Sequence, residues 1–283
     1  MPQGCSLLHS GTRNIIRGKK QITQAIISYC HPDFTSGSCY TSVYMKLTVL
    51  TWNIWGGKHR AEVIKFLKQT EWDVLALQEV TQREIEGNII NDAQVIACAL
   101  DCEYYFEKAF RTDRHTPVYD LGNALLSKHP IQERRVHILS DLSSYEKNST
   151  TEPRNAVEIV TTINEKNIHI FSTHIGYDVS LGEGDLQKNQ IQELILRVPA
   201  NNSVLMGDFN STPESTIIKR IEEHYNHTDT HLSYISWINF KKSAHPTHRI
   251  DYIFTTKDIT TEKFEILSTD ASDHLPLRAV LEV

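Results

Sequence analysis

The sequence predicts an α+β fold in which two mixed β-sheets pack face to face and helices cover the outside. The chain has 283 residues and 40% apolar side chains, which is enough for a sizeable core. About ten strand-like runs occur with only a few helix-like runs, a proportion that favours two stacked sheets. Two strands are separated only by the polar residues 164–167, the length of a hairpin turn, so antiparallel pairs must occur beside the pairs that helices connect.

The first 44 residues differ from the rest of the chain. They are rich in Ser, Thr and Cys, carry four basic residues against Asp33 as the only acidic one, and show no sustained hydrophobic period. At Met45 the pattern changes abruptly to that of a strand. We therefore predict that residues 1–44 are a poorly structured extension and that residues 45–283 form the folded domain. The alternative interpretations of residues 1–44 are an upstream segment that the mature protein lacks and an N-terminal transit peptide.

Hydrophobic periodicity predicts the elements in the first half of this domain. A β-branched run indicates the first strand, and Val63, Ile64 and Leu67 share one face of the first helix. Ile85 and Ile89 begin a helical spacing that indicates a second, longer helix. In order, we predict a strand at 47–52, a helix at 59–69, a strand at 73–77, a helix at 81–100, and strands at 103–110, 123–127 and 136–139.

The second half contains the predicted hairpin and two further helices. Ile191, Leu194 and Val198 share a face of the first of these helices, and Pro213 stands near the first turn of the second. In order, we predict strands at 155–163 and 168–173, a helix at 184–198, a strand at 203–207, a helix at 213–223, and strands at 249–255, 263–267 and 276–283.

Polar side chains interrupt the apolar strands at the points where strands end or begin. These residues are Asn53, Glu79, His174, Asp208, Asn210, Asp251, Asp273 and His274. Because the carboxyl end of one strand and the amino end of an antiparallel neighbour lie at the same edge of a sheet, these side chains could gather at one edge. Four carboxylates, two imidazoles and two amides would be costly to bring together unless a cation or a phosphate organised them.

The residue types at these positions favour one chemistry. Carboxylate and amide oxygens suit a hard cation such as Mg²⁺ or Mn²⁺, whereas the absence of Cys and the small number of His residues argue against Zn²⁺. Mg²⁺ polarises phosphoryl oxygens, and a His beside a carboxylate handles protons or stabilises charge. The set therefore points to metal-dependent chemistry on a phosphate ester.

The ordered motifs that contain these residues resemble those of the endonuclease/exonuclease/phosphatase superfamily. They read TWNIWGG, LALQEV, GNALLSKHPI, STHIG, MGDFNSTP, RIDYIF and SDHLPL. The resemblance covers residues 45–283 and none of 1–44. It implies a four-layer α/β/β/α sandwich, which agrees with the two stacked sheets predicted above, and it makes residues 45–283 the catalytic domain.

The resemblance implies a metal site on three of the residues. Glu79 is the principal Mg²⁺ ligand, Asn53 binds the ion or supports its ligands, and Asp273 lies on the metal side. Mn²⁺ is the alternative ion.

The resemblance implies catalytic roles for five others. Asp208 orients or deprotonates the attacking water, and Asn210 helps to fix that geometry. His174 hydrogen-bonds the scissile phosphate. His274 stabilises or protonates the phosphoryl group, and Asp251 orients His274.

Two further residues are candidates for contact with the substrate. Arg154 either reaches the substrate or only supports the fold. Asn123 either binds the substrate or packs within its strand.

The function expected from these features is Mg²⁺-dependent hydrolysis of a phosphodiester by in-line attack of water. A small-molecule or lipid-headgroup phosphate is favoured as substrate, because residues 45–283 carry 25 basic and 34 acidic residues, a net charge of −9. The alternative is a DNA or RNA nuclease, which should show a basic groove with aromatic side chains. The resemblance adds that members acting on abasic-site or tyrosyl-linked DNA often have a carboxylate or amide where this chain has Trp55. A third interpretation, a catalytically inactive binding module, is disfavoured because no residue of the set is missing.

The remaining expectations concern the local basic residues and the setting of the protein. Arg111, Arg114, Arg134 and Arg135 are the only local basic cluster. No run approaches the roughly 20 apolar residues that span a bilayer, so no transmembrane segment is expected. No secretory signal is evident, so a cytoplasmic location is expected. A phosphate-ester substrate is the predicted partner, with nucleic acid as the alternative, and a monomer is favoured.

Overall fold

The computed structural model describes residues 25–28, 41–112, 118–140, 152–229, 235–238 and 246–283. The chain divides into two compact units, Met1–Met45 and Lys46–Val283. In the first unit, strand β1 (Ala25–Ser28) pairs antiparallel with strand β2 (Thr41–Tyr44). Most of residues 1–44 lies outside the described residues, so the extension proposed there stays a prediction. No helix in the described part of the chain combines the length and the apolar character needed to cross a membrane.

The second unit contains fifteen described strands and four α-helices. In chain order they are β3 (Lys46–Asn53), α1 (Arg60–Gln69), β4 (Val74–Ile85), β5 (Asn88–Asn91), α2 (Asp92–Leu100), β6 (Glu103–Thr112), β7 (Tyr119–Ser127), β8 (Ile131–Ser140), β9 (Arg154–Ile163), β10 (Lys166–His174), α3 (Asp185–Arg197), β11 (Ser203–Asp208), α4 (Thr216–Glu222), β12 (Asn226–His227), β13 (Trp237–Ile238), β14 (Pro246–His248), β15 (Asp251–Thr255), β16 (Thr260–Ile266) and β17 (Leu277–Glu282).

Thirteen of these strands form two mixed sheets. The seven-stranded sheet has the order β16-β17-β3-β4-β7-β6, with β5 paired to β4 outside this path. The six-stranded sheet has the order β12-β15-β11-β10-β9-β8, and β13 and β14 form a separate pair. The pairs β3–β4 and β10–β11 are parallel, and their other neighbours in the sheets are antiparallel. The prediction of mixed sheets is therefore confirmed.

Helices α1 and α2 cover the outer face of the seven-stranded sheet. Val63 and Leu67 of α1 and Ile96 of α2 belong to one buried cluster with Trp52 of β3 and Leu75 of β4. Successive side chains of a strand point to opposite faces of the sheet, so the neighbours of Trp52 and Leu75 on these strands point towards the other sheet. Both faces of β3 are thereby buried, which explains its unbroken apolar run.

Helices α3 and α4 cover the outer face of the six-stranded sheet in the same way. Ile191 and Leu194 of α3 and Ile218 of α4 pack with Phe171 of β10 and Phe254 of β15. With the two sheets facing each other, the layers are helices, sheet, sheet and helices. This is the four-layer α/β/β/α sandwich that the sequence predicted.

The predicted helix at 81–100 is wrong over its first eleven residues. Strand β4 continues to Ile85 and turns through Glu86 and Gly87, whose φ angles are +51° and +78°, into β5. A tight hairpin turn needs this left-handed backbone, and glycine adopts it at little cost. Helix α2 begins only after Asn91, whose side chain accepts the Gln94 N–H. The isoleucine spacing resembled a helix because it spans the two arms of a hairpin.

The hairpin predicted at 164–167 is present. Asn164 and Glu165 have φ angles of +50° and +63°, and β9 and β10 pair from Ile163 and Lys166 outwards. The short strands β12, β13 and β14 were not predicted, because two or three residues are too few to show a period of two.

Gly207→Ala is expected to destabilise the protein by about 2–4 kcal/mol, because the new methyl group combines backbone strain with a collision. Gly207 has φ +151°, and a Cβ there would lie 2.0 Å from the carbonyl oxygen of Thr173 on the neighbouring parallel strand. Gly87→Ala is the matched control, because Gly87 also has positive φ but its Cβ would meet nothing within 4 Å. Equal shifts of the urea midpoint in the two variants would contradict a role for close approach.

Candidate active site

Strand pairing brings most of the predicted strand-end residues to one end of the sandwich. Asn53 ends β3, and Glu79 follows the point where β4 stops pairing with β3. His174 and Asp208 end the parallel strands β10 and β11 and are register partners. Asp251 begins the antiparallel strand β15 directly opposite Asp208. The strand register therefore places these polar side chains at one shared edge, as the sequence predicted.

Asn53 connects the two sheets at this end. Its Nδ2 donates to Glu79 Oε1 and to Asp208 Oδ2, both at 3.1 Å. Its Oδ1 accepts the Trp55 N–H at 3.0 Å. The buried amide nitrogen of Asn53 therefore orients one carboxylate from each sheet, those of Glu79 and Asp208.

The backbone of Glu79 departs from regular strand geometry. Its φ is +54°, and the pairing of β4 with β7 shifts register between Leu77 and Val80. Such a bulge re-aims a side chain, and left-handed backbone at a non-glycine residue is a source of strain. Here the bulge accompanies a carboxylate that lines a cavity.

Glu79 and Asp273 form an acidic pair with no salt bridge to either carboxylate among the described residues. Burial raises the pKa of Glu79; the Asn53 hydrogen bond lowers it less, and Asp273 adds to the rise. Burial also raises the pKa of Asp273. Both carboxylates are therefore placed where an added positive charge would stabilise them.

His274 is held by a carboxylate and carries a positive charge. Its Nδ1 lies 2.8 Å from Asp251 Oδ2, and the Ser236 hydroxyl donates to the same oxygen at 2.6 Å. The indole N–H of Trp52 donates to the His274 carbonyl oxygen at 2.9 Å. Burial acts to lower the pKa of His274, but Asp251 and Asp208 outweigh it and raise the pKa to about 10.

Asp208 lies between the amide and imidazole groups. Its Oδ1 accepts the Asn210 N–H at 2.9 Å, its Oδ2 accepts from Asn53, and His274 Nε2 lies 3.7 Å from Oδ2. Burial, followed by repulsion from Asp251, raises the pKa of Asp208 to about 7. An aspartate in this range exchanges a proton close to neutral pH.

His174 is neutral and fixed by an amide. Its Nε2 lies 3.0 Å from Asn210 Nδ2. Asn210 Nδ2 also donates a hydrogen bond to the Ile175 carbonyl oxygen at 2.9 Å. Burial, assisted by the positive charges of Arg154 and His274, holds the pKa of His174 well below its ordinary value. His174 Nε2 also lies 3.4 Å from Asp208 Oδ2, so the neutral ring stands between an amide and a carboxylate.

A cavity of about 350 Å³ opens beside these groups and is the space available for a substrate. Arg154 lines it with Glu79 and His174, and burial lowers the pKa of Arg154. Trp55 and Tyr119 supply aromatic walls. The arrangement joins a cation, a carboxylate and aromatic faces in one enclosure.

Asn123 is as deeply buried as Asn53, Asp208 and Asp251. Its Nδ2 donates to the backbone carbonyl oxygen of Asn155 at 3.0 Å and to its Oδ1 at 2.9 Å, and its side chain is 1% exposed. It adjoins Arg154 and His174 at a narrow extension of the cavity. The predicted contact of Asn123 with substrate stays a prediction.

Sequence reasoning missed Ser236, which organises the carboxylate behind His274. Its oxygen also accepts the backbone N–H groups of Ile250 and Asp251, both at 3.2 Å. No local signal marks this serine, since it stands fifteen residues before Asp251 and reaches it only through the fold.

Two groups of side chains could hold a cation. Asp208, Asp251 and His274 offer ligand atoms within 4.8 Å of one another. However, His274 is itself positive and already compensates both carboxylates. At Glu79 and Asp273, burial still outweighs the positive charge of His274, to which Arg154 adds at Glu79, so both pKa values stay raised. These carboxylates provide the hard oxygen ligands that Mg²⁺ prefers and therefore fit a cation better.

The predicted basic cluster is neutralised where it is described. Arg114 lies outside the described residues. The other three arginines form ion pairs with acidic neighbours: Arg111 with Asp120 at 3.8 Å, Arg134 with Glu103 at 2.8 Å, and Arg135 with Glu158 at 2.8 Å. These residues therefore do not provide uncompensated charge for a nucleic-acid backbone.

Asp208→Asn is expected to stabilise the protein in EDTA at pH 8. An aspartate with a raised pKa stabilises the folded state fully below its unfolded pKa of about 4, and this contribution is lost as pH rises through 7. Removing the carboxylate should thus leave stability unchanged at pH 4 and add on the order of 2–4 kcal/mol at pH 8. Melting temperatures across this range measure the difference. The exposed Asp270→Asn is the control, and a difference that does not grow with pH would contradict the shift.

Comparison with known proteins gives consistent matches. The model of the Endonuclease/Exonuclease/phosphatase family matches residues 50–274. A phospholipase C of Staphylococcus aureus is 25% identical over 296 residues, covering 84% of each chain. An endonuclease/exonuclease/phosphatase structure from Beutenbergia cavernae has a TM-score of 0.66 at 21% identity, covering 84% of this chain and 72% of that one. A beta toxin from Staphylococcus aureus has a TM-score of 0.59 at 20% identity, covering 82% and 99%.

Proposed function

Because this chain belongs to the endonuclease/exonuclease/phosphatase family, we propose that it hydrolyses a phosphodiester with water activated at Asp208. The placement of Asp208 is the observation that carries this proposal. Two amide groups fix its oxygens, and its pKa of about 7 suits a group that accepts a proton from water near neutral pH. In-line attack requires the leaving oxygen to depart on the opposite side of the phosphorus.

Mg²⁺ is the cofactor that the donor set suits best, with Mn²⁺ as the alternative. Glu79 and Asp273 would hold it, and Asn53 orients Glu79 through its Nδ2. When bound, the ion supplies stabilisation of the negative charge on the phosphoryl oxygens. The raised pKa values of the two carboxylates support this assignment, since a cation would offset the cost of burying both.

Two imidazoles act on the phosphoryl group in different protonation states. His274 is protonated and turned by Asp251, so its Nε2–H stabilises charge on the phosphoryl group or protonates it. His174 is neutral and lines the cavity, so it hydrogen-bonds the scissile phosphate, while Asn210 fixes the ring through Nε2.

The favoured substrate is a small-molecule or lipid-headgroup phosphodiester. The similarity to a phospholipase C along 84% of the chain supports a headgroup phosphate. Arg154 in the cavity wall suits the phosphate itself, and Asn123 behind it is assigned to substrate contact. The net charge of −9 on residues 45–283, the catalytic domain in this proposal, argues against a long polyanion.

The test compares the turnover of several substrates in MgCl₂ and in EDTA. The MgCl₂ concentration is roughly 5 mM, chosen to saturate a protein Mg²⁺ site. The panel contains sphingomyelin and phosphatidylcholine vesicles, bis-p-nitrophenyl phosphate, plasmid DNA and single-stranded RNA. We expect Mg²⁺-dependent release of a phosphate monoester from the lipid or the chromogenic diester.

Cleavage of nucleic acid alone would replace this proposal by the nuclease alternative. Cleavage of no substrate, either with MgCl₂ or with EDTA, by a protein that is folded, would favour the inactive binding module.

A further inference from the structure

A second cavity, of about 370 Å³, lies beside the substrate cavity and has basic walls. Lys58, Arg60 and Arg83 line it, together with one acidic residue, Glu62. Arg83 lines both cavities, and the neighbours Gly56 and Gly57 line one each, so a single arginine and one tight turn separate them. These residues have no part in the proposed hydrolysis.

The two arginines are held in place by a buried carboxylate. Asp92 is 0% exposed, and its Oδ1 accepts from Arg60 Nη1 at 2.5 Å. Its Oδ2 accepts from Thr81 Oγ1 at 2.5 Å and lies 3.3 Å from Arg83 Nη2. A Cβ on Gly57 would lie 2.1 Å from the same oxygen, so the turn packs directly on this carboxylate.

The charges at this place do not cancel. Three basic side chains, those of Lys58, Arg60 and Arg83, face two carboxylates, those of Asp92 and Glu62, which leaves a formal excess of one positive charge. Lys58 forms no salt bridge within the described residues. Lys58 Nζ instead lies 3.5 Å from the centre of the Trp55 ring, which fixes it at the cavity wall without neutralising it. In a domain of net charge −9, this is a local excess of positive charge at an open cavity.

Arg83 also retains unused hydrogen-bonding capacity. Its hydrogen bonds to the Gly56 carbonyl oxygen, Thr81 Oγ1 and Asp92 Oδ2 are all donated by Nη2. Its Nε is buried and has no acceptor among the described residues. A planar guanidinium that is positioned by a carboxylate but not fully paired is suited to bind two oxygens of an oxyanion such as phosphate.

We propose that Lys58, Arg60 and Arg83 form a second anion subsite, and that the substrate carries a second phosphate group that binds there. This inference rests on the proposed hydrolysis, since the scissile phosphate occupies the first cavity. Glu79 and Arg83 stand four residues apart on β4, which corresponds to at most about 13 Å of extended strand. A single small molecule or headgroup that fills both cavities therefore carries its two phosphates several bonds apart, not on adjacent atoms.

The test measures binding by calorimetry in EDTA, with a series of α,ω-alkanediol bisphosphates of two to eight carbons and the matching monophosphates. At the length that spans both cavities, the bisphosphate should bind about tenfold more tightly than the monophosphate, the gain of one charge-assisted contact. Lys58→Gln should remove this gain. Lys65→Gln, an exposed lysine of α1 that does not line the cavity, is the matched control and should keep it.

Arg83→Lys provides a second variant that keeps a positive charge beside Asp92 but loses the planar fork, and it should reduce the gain as well. Equal affinity for bisphosphates and monophosphates at every length overturns the subsite, as does a gain that survives both variants. Because these titrations involve no turnover, a failed hydrolysis assay and a failed subsite are distinguishable.

Sedimentation with phosphatidylcholine vesicles, with and without phosphatidic acid, identifies the source of the second phosphate. Binding that requires phosphatidic acid and Lys58 supports the subsite with a lipid phosphate as its ligand. Bisphosphate binding without vesicle binding supports it with a soluble one. Absence of both overturns it.

Discussion

Glu79→Gln is expected to lower Mg²⁺-dependent turnover by at least about 10³-fold, because a bound metal ion supplies several kcal/mol of transition-state stabilisation and each 1.4 kcal/mol is tenfold. The fold should persist. Glutamine has the same shape, and its Oε1 can still accept the hydrogen bond that Asn53 Nδ2 gives to Glu79. Mg²⁺ should raise the melting temperature of the wild-type protein by binding the folded state, and it should have little effect on the variant.

Glu84→Gln is the matched control for this variant. Glu84 lies on the same strand but is exposed, beyond the cavity-lining residues. It should retain both turnover and the Mg²⁺-induced rise. Ordinary turnover in Glu79→Gln, or equal losses in the two variants, would remove the metal assignment from Glu79.

His274→Ala is expected to lower kcat by on the order of 10²–10⁴-fold, the range for a positioned acid or base. Asp251→Asn should cost less, because the ring remains but loses the carboxylate that orients it and sustains its charge. The double variant should be little worse than His274→Ala, since a carboxylate that acts only through the imidazole has nothing left to orient.

The measurement is kcat for both single variants and the double variant on the diester that the substrate panel identifies. The pH profile adds a readout that general destabilisation would not move. In Asp251→Asn the loss of the nearby charge lowers the pKa of His274, so activity should fall at a lower pH than in the wild-type protein. Losses that multiply in the double variant would mean that the two residues act independently.

Much of the fold was readable from the sequence because local periodicity records which faces of a strand or helix are buried. The run from Leu47 to Trp52 and the hairpin turn at 164–165 were predicted near their observed places. The helix at 81–100 was not, because Ile85 and Ile89 have a spacing that a helix and a hairpin both allow. Only the left-handed turn at Gly87 distinguishes the two.

The site was predictable in its residue types but not in its contacts. Chain position alone placed Asp208 and Asp251 at strand ends, and strand register then made them direct neighbours. Ser236 carries no local signal. The pKa of Asp208 depends on burial and on a carboxylate 43 residues away, so no sequence window contains its cause.

The sequence by itself determined the two stacked sheets with outer helices and the strand-end polar residues, because these depend on patterns within single elements. The order of the motifs along the chain determined the family that it resembles, and that resemblance implied the four-layer class. The tertiary structure alone decided that one amide, Asn53, would orient carboxylates from both sheets. It also decided that Lys58, Arg60 and Arg83 would surround a second cavity. The physical reason is that hydrogen bonds and fields between charges act over a few ångströms in space, and the pairing of distant strands sets those distances.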